Sequence, residues 1–403
     1  MRWLTTQDVV TLLGIKPATL YAYVSRGVIS RRDGPDGRSR FSSEEVERLR
    51  VRGSRAADRL REVTVQSAIT SISGEEIRYR NVDSLELART HSFEDAAHWL
   101  WSGGFPRSHV WQADPGAVLV GGRAQKALPT KALPLDRLRV AVAAIATTDP
   151  LRYEINVGAV PMTGQRLIAA LVESLPRPVT KLRPPDRDNG SIAERLWNKL
   201  SQMPASRAVT ELLDDALVIL MDHELSFSTL SARLAASTRS DPYSVVAIGL
   251  SALAGPLQTV ASLAAEDMLA EIDSPRHAVW LIGERLRRGE RLPGFGHRLH
   301  PDGDPRNTFL LKRLRSVMHR SKELDIVNAV VAATRERGLP AANIDFALAA
   351  LARSGQMVRG ASEAVFAVAR TAGWIAHAME EYSSGVEVRP RMLYMGPPVT
   401  SER

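Results

Sequence analysis

Leu292-Pro293-Gly294-Phe295-Gly296-His297-Arg298-Leu299-His300-Pro301-Asp302-Gly303-Asp304-Pro305-Arg306 is the stretch on which the reading of this 403-residue chain turns. Two glycines bracket an aromatic, a histidine follows at once, and a Gly-Asp-Pro-Arg turn closes the run. Glycines permit backbone conformations and a close ligand approach that a Cβ resists. A histidine holds or gives a proton near neutral pH. Arg306, nine positions after His297, offers a planar fork that grips a carboxylate with two bonds. As bare chemistry this is a site for an anionic carbonyl compound. A lone Gly-x-Gly-His, by contrast, is ordinarily a surface loop with a solvated histidine.

The longer run changes that reading. Pro-Gly-Phe-Gly-His followed by Gly-Asp-Pro-Arg resembles the signature of the citrate synthase family, which joins acetyl-CoA to oxaloacetate. Further residues carry the same resemblance. Asp222-His223-Glu224 precedes a Ser/Thr helix, and the resemblance gives His223 a place on oxaloacetate. Asn343-Ile344-Asp345-Phe346 is similar to the family's Asn-Val-Asp-Phe, whose aspartate removes the methyl proton of acetyl-CoA. Read alone, Asp345 amid Ile344, Phe346, Ala347 and Leu348 is a helix cap, but apolar surroundings would raise its pKa and strengthen it as a base. Arg370, in Arg370-Thr371-Ala372-Gly373-Trp374, and Arg306 are implied to bind oxaloacetate carboxylates. Arg389, in Val388-Arg389-Pro390-Arg391, is implied to reach the partner subunit's site. Coenzyme A is implied to lie over Leu292, Pro293, Gly294, Phe295 and Gly296.

One segment departs from the pattern. The family reads Gly-Pro-Leu-His-Gly-Gly-Ala-Asn, with the histidine bonded to the acetyl-CoA carbonyl while an enol forms. This chain reads Gly255-Pro256-Leu257-Gln258-Thr259-Val260-Ala261-Ser262. Gln258 keeps a hydrogen-bond donor but cannot change protonation state. Thr259 and Val260 add side chains where the pattern has glycines. Pro301 stands where a basic residue often meets a phosphate of coenzyme A.

The N-terminus has a different character. Residues 1–62 hold 13 Arg/Lys against 8 Asp/Glu, so 13 − 8 = +5 of the chain's net charge of +8 lies there. Such asymmetry suggests a nucleic-acid-facing end. Thr5 or Thr6 caps a first helix with Val9, Leu12 and Leu13 on its inner face and Gly14 at its stop. Pro17 opens a second helix that carries Thr19, Tyr21 and Arg26 and ends at Gly27. A Gly/Asp-rich basic turn follows, with Arg31, Arg32, Arg38 and Arg40, and Ser42 or Ser43 then caps a third helix through Val46 and Leu49. The order resembles the winged helix-turn-helix of MerR-type regulators, whose second helix enters the major groove while the wing touches phosphates. Tyr21 replaces the arginine usual in that family's second helix. A small docking domain is the other reading of this segment.

Elsewhere apolar residues recur at helical spacing over 136–147, 163–174, 191–202, 208–221, 227–237, 243–254, 260–271, 277–288, 307–320, 324–337 and 344–353. Strand-like alternation is scarce. The expected fold is therefore all-α; the resemblances imply a two-domain citrate synthase-like helical fold preceded by a winged helix-turn-helix. The expected divisions are 1–52 for the helix-turn-helix, 53–64 for a charged linker, 65–257 for a large domain, 258–350 for a small one, and 351–403 for the return and a dimer arm. Residues 176–190, with four prolines, read as an exposed loop.

Zero cysteines exclude disulfides, thiolate metal sites and a cysteine nucleophile. No metal is expected, since His223, His297, His300 and His377 lack metal-ligand spacing, and no cofactor beyond acyl-CoA as substrate. No apolar run reaches the roughly 18 residues of a membrane span and the opening residues turn polar too early for a secretory signal, so a cytoplasmic protein is expected. The citrate synthase resemblance, in which each site borrows an arginine, implies a homodimer. Two functions fit. One is an acyltransferase in which Asp345 deprotonates acetyl- or propionyl-CoA, Gln258 steadies the enolate and His297 protonates oxaloacetate. The other is a DNA-binding regulator whose enzyme-like domain only senses a metabolite.

Overall fold

The computed structural model describes residues 3–388 apart from 14, 35–36, 44, 47–64, 106–109, 180–189, 256–259, 320 and 386–387. The chain divides into two units, Met1–Gln66 and Ser67–Arg403.

In the first unit, strand β1 (Trp3–Thr5) leads into α1 (Thr6–Leu13), and α2 (Pro17–Ser25) follows. Thr5 closes the entry: its Oγ1 accepts the Asp8 amide at 3.2 Å while Asp8 Oδ2 accepts the Thr5 amide at 2.9 Å. This is a reciprocal cap in which each side chain satisfies an orphan amide. The basic turn is a hairpin of β2 (Arg31–Asp33) and β3 (Ser39–Ser42), with Arg31 opposite Phe41. Strand β1 pairs antiparallel with the other edge of β3, Trp3 opposite Ser42. Val9, Leu20, Ile29, Phe41 and Val46 form the small core. Leu12, expected on the inner face of α1, is 45% exposed. Val9 and Leu13 fill that face without it, and one short helix has room for little more. The expected third helix and the linker fall largely on residues 44 and 47–64, outside the described residues.

The second unit opens with a meander of β4 (Thr70–Ser73), β5 (Glu76–Tyr79) and β6 (Val82–Asp83). Fifteen helices follow among the described residues: α3 (Ser84–Thr90), α4 (Phe93–Ser102), α5 (Pro115–Gln125), α6 (Pro134–Ala146), α7 (Val160–Ser174), α8 (Ile192–Leu200), α9 (Arg207–Leu220), α10 (Phe227–Ser237), α11 (Pro242–Leu253), α12 (Val260–Ala270), α13 (Pro275–Arg287), α14 (Pro305–Val317), α15 (Lys322–Glu336), α16 (Ile344–Ser354) and α17 (Ala361–Ser384). Each of the 11 periodic segments is a helix within a few residues of its expected bounds. Starts are written plainly in the sequence. Asp114, Asp241 and Asp304 each accept amides of the first turn and are followed by proline at the first helical position.

Helix α17, 24 residues long, is buried on nearly every side, and α4, α6, α7, α9, α10 and α11 pack around it. A helix buried on every side belongs at a core centre. Two glycines let the backbones close in: a Cβ on Gly373 would lie 2.1 Å from the Met221 carbonyl oxygen, and one on Gly249 would lie 2.6 Å from the Trp374 ring. Gly373 thus fixes where the end of α9 crosses α17. That crossing sets Asp222 and His223, which follow α9, against the residues of α17. Helices α12 to α16 pack chiefly on one another, α12 against α16 and α13 against α15.

Candidate active site

The loop from Leu292 to Asp304 reaches the site because it is stitched to the start of α16. Gly294 and Gly296 both sit at φ +81°, a region that residues with a Cβ avoid. A Cβ on Gly294 would also press on Phe346 Cβ at 2.9 Å. The Asn343 amide donates to Gly294 O at 2.9 Å, Asn343 Nδ2 to Gly296 O at 2.8 Å, and the Gly296 amide to Ala341 O at 2.7 Å. Phe295 packs on Phe346 with ring centroids 5.0 Å apart. The two motifs that looked separate in sequence, 292–306 and 343–346, are one piece of structure.

Asp304 ties the third part in. Its Oδ1 caps α14 on the Arg306 amide, its two oxygens hold the Arg306 guanidinium at 3.0 and 2.9 Å, and its Oδ2 accepts the Ile344 amide at 3.1 Å. Both side chains are buried. Burial works against the Asp304 charge, yet the Arg306 guanidinium holds its carboxyl at about 2. Asp304 thus fills the Nε and Nη2 side of Arg306, and among the described residues no hydrogen bond takes Nη1.

Three imidazoles converge here. His223 Nε2 lies 3.0 Å from His300 Nε2, and His297 stands 5.3 Å from the His223 ring and 5.0 Å from that of His300. The Leu299 amide donates to His297 Nδ1 at 3.2 Å, so the ring nitrogen that carries a proton in neutral His297 is Nε2. Burial, then the charge of Arg306, pushes His297 down to about 4. Burial, Arg306 and Arg370 push His223 well below its ordinary range as well. Among the described residues no group of three or more His, Asp or Glu side chains is placed to hold a metal. His300 had drawn no role from its place in the sequence; only the Asp304 turn folds it back onto His223.

Arg370 is fully buried on α17. Its Nε donates to Leu220 O at 3.0 Å and its Nη1 to Ser226 Oγ at 3.3 Å, and the guanidinium lies 4.6 Å from the Phe366 ring centroid. Beneath it, Asp222 accepts bonds from Thr70 at 2.6 Å and from His377 Nε2 at 3.2 Å, while Arg233 donates to His377 Nδ1 at 2.7 Å. Burial alone would raise the Asp222 carboxyl, but His377 and Arg370 hold it below its ordinary value. Tyr79, from the small meander, donates to Asp222 O at 3.1 Å. The opening strands therefore brace the floor under His223.

Asp345 occupies the first turn of α16, and the Ser262 hydroxyl of α12 donates to its Oδ1. Burial raises the Asp345 carboxyl, with Ser262 and Arg306 pulling the other way. The structure thus joins His223, His297, Arg306 and Asp345 through shared partners, with Arg370 alongside. Leu292 to Gly296 form the stitched loop. Gln258 and Arg389 lie outside the described residues. In the first unit Thr19 is half-buried and Tyr21 is exposed, edge-on to Phe41 at 6.2 Å. Arg26 bonds Ala22 O, Arg31 pairs with Asp33 at 3.2 Å, and Arg32 stacks 4.0 Å from the Trp3 ring centroid. Arg38 is exposed and Arg40 half-buried on the same hairpin.

The low imidazole pKa values have a testable consequence. The unfolded chain takes up protons on histidine below about pH 6.5, while native His297 resists until about 4. Its contribution to stability is present above pH 6.5 and lost as pH falls toward 4. Thermal unfolding of His297→Gln is therefore expected to fall less than the parent's across that window. Raised carboxyls such as Glu363, pushed to about 7 by burial and by Glu266, act in the opposite sense in both proteins and cancel in the comparison. Parallel curves would contradict a desolvated His297.

Comparison with known proteins shows the family. Residues 59–391 match the family described as citrate synthase, C-terminal domain, and residues 3–50 match a helix-turn-helix domain. The chain belongs to the citrate synthase family and carries a helix-turn-helix domain ahead of it. It is 30% identical to citrate synthase 2 of Bacillus subtilis over 83% of this chain and 94% of that one. It is 28% identical to 2-methylcitrate synthase 1 of Corynebacterium glutamicum over 82% and 93%. Among solved structures, a citrate synthase from Thermotoga maritima superposes with a TM-score of 0.67 at 25% identity, covering 84% of this chain and 95% of that one. A Thermoplasma acidophilum citrate synthase, solved with carboxymethyl coenzyme A and oxaloacetate, shares the fold at 23% identity and a TM-score of 0.67, over 87% and 97%. Among the described residues no helix is long and apolar enough to cross a membrane.

Proposed function

We propose that the chain condenses acetyl-CoA or propionyl-CoA with oxaloacetate, giving citrate or 2-methylcitrate and free coenzyme A. The observation that supports this best is the stitching of Gly294–His297 to Asn343–Asp345, with Arg306 bound into the same piece through Asp304. A base, a neutral imidazole N–H and a buried cation thereby share one frame. Arg306 Nη1, Arg370 and His223 hold the two carboxylates of oxaloacetate. Asp345 removes a proton from the carbon next to the thioester carbonyl. Gln258 donates to the enolate oxygen that forms, an interaction typically worth about 10²–10³ in rate. The enolate carbon attacks the keto carbon of oxaloacetate, and His297 Nε2–H protonates the oxygen that becomes the hydroxyl. The proton Asp345 takes balances the one His297 gives. Water then cleaves the thioester. Coenzyme A lies over Leu292–Gly296, and Arg389 completes the neighbouring site in a homodimer working in the cytoplasm.

The test exploits the absence of cysteine in the chain. A thiol-reactive dye reports only released coenzyme A, with no protein background. Turnover with oxaloacetate and either acyl-CoA supports the assignment; no release with either acyl-CoA sinks it.

A second reading rests on the N-terminal unit: DNA binding through α2 and the β2–β3 hairpin, with the larger unit supplying metabolite sensing. The exposed run of Arg31, Arg32 and Arg38 favours it. Phosphate contacts release counterions, so binding is expected to fall steeply with salt. Removing Arg31, Arg32, Arg38 and Arg40 together is expected to flatten the log–log salt slope by about 3 to 4 and to weaken all sequences alike. Salt-independent binding, or none to genomic fragments at low salt, leaves a docking role for the unit. A dimer bearing two such units calls for two related half-sites.

A further inference from the structure

Ser262 stands where the family pattern has asparagine, within the segment in which histidine and both glycines are also replaced. It is fully buried on α12. A buried helical serine commonly turns its hydroxyl back to a carbonyl one turn earlier in its own helix. Ser262 instead reaches across to α16 and donates to Oδ1 of Asp345. The Asp345 amide is separately taken by Asn343 Oδ1 at 3.0 Å. The backbone of Asp345 is thus fixed by Asn343 and one of its carboxylate oxygens by Ser262. Among the described residues Asp345 has no ion pair.

The charges around this pair are otherwise committed. From α14, Arg306 and Asp304 face Asp345 but are bound to each other. On α12 itself, Glu266 takes the amides of Gly360 and Ser362, and Asp267 pairs with Arg359. Glu363 of α17 adjoins Glu266. On α15, Glu323 pairs with Arg353 at the far end of α16. His297 is bonded to the Leu299 amide through Nδ1. Among the described residues the neutral Ser262 hydroxyl is therefore the one group in hydrogen-bond contact with the Asp345 carboxylate. It favours the ionised form against burial without adding a charge.

We propose that Ser262 is a positioning residue for Asp345, holding Oδ1 and stabilising the carboxylate so that Oδ2 is presented to take the substrate proton. This inference rests on the reading of Asp345 as the base. Ser262 puts a short hydroxyl donor where the family pattern has an amide, and that hydroxyl reaches Asp345.

The experiment compares the parent with Ser262→Ala, which loses the hydroxyl, and Ser262→Thr, which keeps it. Cysteine is avoided because it would react with the dye. The pH dependence of kcat for thiol release is the first readout. Ser262→Ala is expected to move the acid limb upward by about one pH unit, which makes turnover about tenfold slower below the limb. Ser262→Thr is expected to keep the parental limb even if its overall rate falls through crowding. The second readout needs no turnover. Thermal destabilisation by Ser262→Ala is expected to grow as pH rises and the carboxyl ionises, and not to depend on pH in this way in an Asp345→Asn background. A parental acid limb in Ser262→Ala, or a destabilisation independent of pH and of Asp345, overturns the proposal. If the parent does not turn over, the acyltransferase reading fails and the unfolding series alone decides the role of Ser262.

Discussion

Asp345→Asn is expected to lower acyl-CoA-dependent thiol release by about 10³-fold, within the range by which a positioned general base accelerates proton transfer. Asparagine keeps the shape of the side chain and still accepts the Ser262 hydroxyl through its Oδ1. The cap made by Asn343 is untouched, so the fold is expected to persist. Burial raises the Asp345 carboxyl, and a desolvated carboxylate is a stronger base than one in water. The loss is expected in kcat, with oxaloacetate binding retained, because His223, Arg306 and Arg370 remain. A variant within tenfold of the parent would place the base elsewhere and remove the core of the proposed mechanism.

Gly373→Ala is expected to be the most damaging single methyl group in the second unit. The added Cβ meets the Met221 carbonyl oxygen at 2.1 Å, and the obstacle is backbone rather than a side chain that can turn away. Relief requires α9 and α17 to separate, which costs at least about 3 kcal/mol by the standard of overpacked cores. Denaturant unfolding measures it, and a midpoint equal to the parent's would contradict the close crossing. Gly283→Ala is the control. It lies inside α13 with nothing within 4 Å of its Cβ position, and is expected to stabilise by up to about 1 kcal/mol through helix propensity. Separating α9 from α17 would also shift Asp222 and His223 away from Arg370, so any folded Gly373→Ala protein is expected to bind oxaloacetate weakly.

Much of this was legible in the sequence, for identifiable reasons. Helices with one apolar face, such as α9 and α15, display their period directly. Helix α17 does not, because it is buried all round and carries Glu363, Arg370 and His377 inside; its apolar residues have no stripe to form. Helix α5 is masked by Pro115, Gly116, Gly121 and Gly122. Gly121 is small because a Cβ there would meet Ile145 at 3.0 Å, a tertiary reason that no local propensity records. Strand β1 is three residues long and pairs with β3 from 35 to 39 positions later, which local alternation cannot reveal. In the site, His223, His297, Arg306, Arg370 and Asp345 were visible as motif residues. What the motifs hid was their joinery. Asp304 occupies the fork of Arg306 two residues on, while His300 meets His223 across 77 positions and Ser262 holds Asp345 across 83, gaps that only the folded chain closes.

The central claim is that carbon–carbon bond formation takes place at the Asp345–His297 frame. Its most direct test is the product. Acetyl-CoA labelled with carbon-13 at the methyl carbon is incubated with oxaloacetate and the full-length chain, and the mixture is followed by NMR. The mechanism predicts that the label appears in a methylene carbon of citrate with the parent protein and stays in the acetyl methyl group with Asp345→Asn. A parent protein that leaves the label in the methyl group, and gives no 2-methylcitrate from labelled propionyl-CoA, would contradict the account.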